Sequence, residues 1–170
     1  MRNLKKFQKG FTLLEIVIYA ALVGIFLTGA ISLAWNIVYA GLKSSAQNEV
    51  TNNLNLVTKK LSYEIKNAES LSINNSSSIT IQSLDDSRGE IIFYLDGQGL
   101  MFGVDNGGSC TVSSPCLLTG NKVLVTDFSL EEVNGVVNFE ISMKYNTNSS
   151  SKKINYEDSV YGAATVRSLE

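Results

Sequence analysis

The sequence contains no histidine. That removes the commonest general base, a common metal ligand and every Ser/His/Asp or Cys/His nucleophile pairing, so a secreted-enzyme reading has no catalytic constellation to stand on. Charge is also sparse. Charged residues make up 18 % of the 170, against about 25 % in an average soluble domain, and the net charge is only -2. No later stretch gathers Lys and Arg into a stripe, which argues against a nucleic-acid partner. No glycine-rich nucleotide loop occurs, so any motor that acts on the protein is a separate chain. The two cysteines lack C-x-x-C spacing, and the single proline, Pro115, lies well past the helix-patterned part of the chain. A chain of this length holds one ordinary domain with its own core.

What is present is concentrated at the start. Arg2, Lys5, Lys6 and Lys9 form a basic flank, and the segment from Ile16 to Leu42 carries no charge at all. About 20 helical residues cross a hydrocarbon core, so this run is long enough to do so. The basic flank places the N-terminus in the cytoplasm and the remainder outside. Three processing states fit: an uncleaved anchor, a secretory signal cut after Val38-Tyr39-Ala40, or a cut before the apolar run. The run is longer than the 7 to 15 residues usual for a signal core.

Glu15 bears on that choice. A lone carboxylate in a membrane segment costs about 2.5 to 3.5 kcal/mol at the helix centre and less near an end, so it needs a partner. A cut between Gly10 and Phe11 would create an α-amino group one helical turn from Glu15. That amine could pair with the carboxylate of its own chain or of a neighbour.

Lys9-Gly10-Phe11-Thr12-Leu13-Leu14-Glu15 resembles the processing motif of type IV prepilins and of the pseudopilins of type II secretion systems. The resemblance implies a membrane peptidase that cuts after Gly10 and methylates Phe11, with Glu15 as the assembly carboxylate. Implied partners are that prepilin peptidase/methylase, other pilin or pseudopilin subunits, an inner-membrane assembly platform and the membrane. Gly24 stands where many pilins have a helix-loosening glycine, whereas Ser32 stands where major pilins often carry proline.

Past Lys43 the chain turns polar. An apolar stripe nevertheless persists at Val50, Leu54, Val57, Leu61, Ile65 and Ala68, at helical spacing and uninterrupted by Gly or Pro. One helix from Thr12 to Glu69 is expected, ending at Asn74-Asn75-Ser76-Ser77-Ser78. Strands are expected at Ser78–Leu84, Glu90–Leu95, Leu100–Val104, Lys122–Leu130, Val137–Tyr145 and Val160–Arg167, with a turn at Asp96-Gly97-Gln98-Gly99 and a loop at Asn146–Lys153. The fold class is therefore α+β: a long N-terminal helix, membrane-spanning in its first half and amphipathic in its second, packed on a C-terminal antiparallel sheet. The element order resembles the minor pilins and minor pseudopilins.

The expected division is a cleaved leader over 1–10, a transmembrane or filament-core helix over 11–42 and a soluble domain over 43–170. Cys110 and Cys116 are expected to form a structural disulfide outside the cytoplasm, in preference to a redox pair or half a metal site. Asp85, Asp86, Asp96 and Asp105 lie in turns without the spacing of a calcium loop, and no metal or cofactor is expected. Trp35 and Tyr39 suit an interfacial belt.

The function expected is a structural subunit, a minor one, of a type IV pilus or related filament, and not an enzyme. It would wait in the inner membrane as a single-pass precursor and end in a cell-surface filament. The alternatives are a pseudopilin of a secretion or competence system, and an uncleaved, membrane-anchored extracellular binding protein.

Overall fold

Thr12 starts the helix. Its hydroxyl accepts from the Glu15 backbone N–H at 3.3 Å and its carbonyl accepts from the same group at 3.0 Å, which makes it the N-cap of α1, Leu13–Lys66. The computed structural model describes residues 12–106, 108–146 and 154–166. The expected leader, with Gly10 and Phe11, lies outside the described residues, as do most of the Asn146–Lys153 loop and Arg167. The chain divides into two units, Met1–Gly41 and Leu42–Glu170, and α1 contributes residues to both.

In the second unit α1 buries Ala46, Val50, Leu54, Val57, Leu61, Glu64 and Ile65, one stripe along its length. The helix ends three residues short of Glu69, without Gly or Pro. Asn67 terminates it: its backbone N–H and its side-chain amide both donate to the Tyr63 carbonyl, at 3.1 and 2.8 Å. One of the carbonyls orphaned at the helix end is thereby satisfied. Ala68, expected as the last residue of the helical stripe, is buried as the first residue of a strand instead.

That strand, β1 (Ala68–Asn75), opens a five-stranded antiparallel sheet with β2 (Ser78–Ser83), β3 (Glu90–Asp96), β4 (Gly99–Val104) and β5 (Cys116–Leu117), in sequence order across the sheet. A second sheet has β6 (Val123–Val133), β7 (Val136–Tyr145) and β8 (Glu157–Thr165), again antiparallel and in order. The single sheet expected from the sequence is thus two. Two turns of the first sheet close the outer edge of β6: the Val125 N–H donates to the Gln98 carbonyl at 2.9 Å, and the Leu130 N–H to the Ser76 carbonyl at 2.8 Å.

The turns follow from their residues. Asn75 accepts the Ser77 N–H at 2.8 Å in the β1–β2 connection. Asn134 and Gly135, at φ 54° and 77°, form the two-residue link between β6 and β7, the left-handed pair that matches hairpin twist.

One core joins the helical stripe to both sheets, with Ile79, Ile81, Ile91 and Phe93 from the first and Phe128, Phe139, Ile141 and Met143 from the second. Three polar contacts fix the helix around it. Glu64 holds Arg88, Glu49 accepts from Lys122 at 2.9 Å, and the Asn53 side-chain carbonyl accepts the Gly120 N–H at 2.8 Å.

Candidate functional site

The residues singled out by the sequence cluster at the N-terminus, and Glu15 is the one of them the structure describes. It lies in the first turn of α1, half-buried, three residues after the Thr12 cap. Thr-x-x-Glu is a capping-box spacing, and a carboxylate here faces the positive end of the helix dipole. Glu15 therefore has a local electrostatic reason to be tolerated near the start of an apolar helix. The signal was present in Thr12-Leu13-Leu14-Glu15, and the pattern of charges alone did not bring it out.

From Ile16 to Ser45 every side chain is exposed. Leu13, Ile25, Phe26 and Ile37 are all more than seven-tenths exposed. The most apolar window of α1 has a mean hydropathy of 2.4 with none of its residues buried, so the helix is long and apolar enough to cross a membrane. A soluble surface of that composition is not sustainable, since apolar patches beyond a few hundred Å² mark a surface that is covered by lipid or protein.

α1 continues without a break through Gly24, Gly29 and Ser32. The Thr28 hydroxyl donates to the Gly24 carbonyl at 2.9 Å, keeping that peptide satisfied. A Cβ at Gly24 or Gly29 would meet nothing within 4 Å, so neither glycine is required by packing within the chain. Trp35 and Tyr39, with ring centroids 6.2 Å apart, share one side of the helix toward the end of the apolar run.

In the second unit Cys110 and Cys116 form a disulfide. The loop they close sits directly on β4. Val104 N–H donates to the Cys110 carbonyl at 2.9 Å, and a Cβ on Gly103 would lie 2.5 Å from the Thr111 carbonyl oxygen. Gly103 is a glycine because the loop backbone occupies the place of a side chain.

Of the four turn aspartates, Asp85 is the one whose carboxylate holds its own turn. Asp85 accepts from the Ser87 N–H at 3.0 Å and the Ser87 hydroxyl at 2.6 Å, and these bonds hold its pKa below the ordinary carboxyl value. Asp105 packs where a side chain on Gly89 would be. Among the described residues no three His, Cys, Asp or Glu side chains are grouped to hold a metal ion.

Two features of the second unit lay beyond the sequence reading. Glu64 is 3 % exposed and paired with Arg88, and Gly162 of β8 lies under the Phe139 ring of β7.

Comparison with known proteins adds one match. Residues 5–31 match the model of the family described as the prokaryotic N-terminal methylation motif, which spans the end of the basic flank, the Gly10-Phe11 junction, Glu15 and the first half of the apolar run. The match is consistent with the type IV pilin and pseudopilin family. No curated protein and no solved structure matches the chain.

Proposed function

We propose that this chain is the precursor of a structural subunit of a type IV pilus or related filament, with a minor role in it. The observation that carries the proposal is the methylation-motif match over residues 5–31, continuous with a helical segment that carries no charge from Ile16 to Leu42 and whose side chains are exposed from Ile16 to Ser45.

The mechanism follows from the parts. The basic flank holds the precursor in the inner membrane with its N-terminus in the cytoplasm. A prepilin peptidase hydrolyses the Gly10–Phe11 bond, and the new α-amino group of Phe11 receives a methyl group. Glu15 then has a cationic amine one helical turn away, on its own chain or on the next. Withdrawn from lipid into a bundle of like helices, the apolar run is buried against its neighbours. A Glu15 buried there without its partner amine would cost about 3 to 5 kcal/mol, which makes the pair a check on register. Gly24 and Gly29, open within the chain, allow a neighbouring helix to approach closely.

Incorporation tests the proposal. Filaments sheared from cells making the native chain, Glu15→Gln or Glu15→Ala are probed for the protein. The native chain is expected in the filament fraction and both variants to be depleted. The Thr12 cap acts on the backbone N–H of residue 15 and survives either change, so α1 still starts where it does. Equal incorporation of Glu15→Ala would end the assembly role of this carboxylate.

A further inference from the structure

α1 carries three glycines, Gly24, Gly29 and Gly41, and packing within the chain requires none of them, since a Cβ at each would meet nothing within 4 Å. Glycine is the poorest helix former after proline, so each is a weak point in the helix. The three differ in what surrounds them. Gly24 and Gly29 lie well inside the charge-free run, where the Thr28 hydroxyl also bonds the Gly24 carbonyl at 2.9 Å. Gly41 follows the Trp35–Tyr39 ring pair, precedes Lys43 and ends the first of the two units.

The turn it opens is bare. Leu42, Lys43, Ser44 and Ser45 are exposed, and among the described residues their side chains make no hydrogen bond or ion pair. The first buried residue of α1 is Ala46. Past the aromatic belt and short of the packed stripe, the backbone hydrogen bonds of this turn have neither lipid nor sheet to protect them, the condition under which a helix opens locally. A glycine followed within one turn by two serines is also the kind of sequence at which helices kink.

We propose that Gly41 is the hinge of α1: the helix bends within residues 41–45, so that the folded second unit changes its angle to the apolar run as that run passes from lipid into a bundle of like helices. The inference rests on the reading of the apolar run as membrane-spanning, and it puts the bend at Gly41 in preference to Gly24. In lipid an opened backbone group has no water to pair with, which holds the helix together through Gly24 and Gly29. At residues 41–45 water takes the place of each opened bond, so the net loss is small. Hinges are a few residues that absorb a change in backbone angles, and a bend here leaves the core around Val50 and Leu54 untouched.

Distances across the turn test it on the full-length chain in lipid nanodiscs. Spin labels at Leu22→Cys and Lys59→Cys, both exposed, stand about 55 Å apart on a straight helix and about 48 Å apart after a bend of about 60°. The native chain is expected to give a broad distribution reaching down from the longer distance, and Gly41→Ala, whose added Cβ meets nothing, a narrow one near it. Gly24→Ala is expected to keep the native breadth. Amide exchange in the same samples locates the opening: residues 41–45 are expected to exchange at least about tenfold faster than both 20–38 and 50–57, and Gly41→Ala to slow them about fivefold. A single narrow distance in the native chain, or equal breadth in Gly41→Ala, overturns the hinge, and protected amides over 20–38 would then leave the membrane-spanning reading standing. Fast exchange over 20–38 removes that reading and the hinge with it.

Discussion

Glu64 on α1 and Arg88 in the turn between β2 and β3 are joined by two parallel hydrogen bonds, of 2.7 and 2.8 Å, across 24 residues of sequence. The carboxylate is 3 % exposed and the guanidinium side chain 29 %. The fork geometry satisfies both carboxylate oxygens, and hydrogen bonding to Glu64 raises the already high pKa of Arg88.

Arg88→Ala leaves the buried Glu64 carboxylate without its cation. A loss of about 3 kcal/mol is expected, the lower end of the range for a broken buried pair because Arg88 keeps some contact with water. Glu64→Leu with Arg88→Met replaces both charges by apolar groups and is expected to cost far less. Denaturant midpoints of the three chains check this. A single and a double variant of equal stability would mean that the pair is not desolvated.

Gly162→Ala would drive a Cβ into the tip of the Phe139 ring, which is 3 % exposed in the core. The ring is confined, so a loss of about 1 to 3 kcal/mol is expected from overpacking. Combining Gly162→Ala with Phe139→Leu should recover part of that loss. Thermal unfolding of both variants reads the coupling.

Cys110→Ser with Cys116→Ser removes a short cross-link. About 2 kcal/mol of stability should go with it, through the freer unfolded chain. Because the loop backbone rests on Gly103, hydrogen exchange should speed up mainly over residues 105–117 while β2 and β3 stay protected. Uniform acceleration across the first sheet would show that the loop supports more than its own strand.

Acid should loosen the Asp85 turn. The depressed pKa of Asp85 means that its bonds to Ser87 stabilise the fold above the ordinary carboxyl value of 3.8 and are lost as pH falls through the lower folded value. Lys122 behaves in the opposite sense. Its pKa is raised by hydrogen bonding to Glu49, so its contribution is present below the ordinary lysine value of 10.5 and fades as pH climbs through the folded one. Both groups are exposed and both effects should be small. Amide exchange at Ser87 followed from pH 6 down to pH 2 is the check, and an Asp85→Asn chain should lose the dependence.

The long helix, the two-fold alternation of β7 and the β3–β4 hairpin were legible because each is regular over many residues. β1 was hidden by its own irregularity: the shift between Ala68 and Ser70 separates its buried Ala68 from Leu71 by three positions, a spacing that continues the helical stripe. Asn134-Gly135 was a readable hairpin signal that lay outside the strands expected on either side. Glu64 sits beside Leu61 and Ile65 at the border of the stripe, and nothing local says that its partner is Arg88. Glu15 stood out as the one charge inside the apolar run, while its capping-box spacing from Thr12 counts only once the start of the helix is fixed.

The central claim is that the chain is processed at the Gly10–Phe11 bond. The intact mass and N-terminal sequence of the protein recovered from its native envelope test it most directly. A chain that begins at an N-methylated Phe11 is the predicted result, and a chain that begins at Met1 would contradict it.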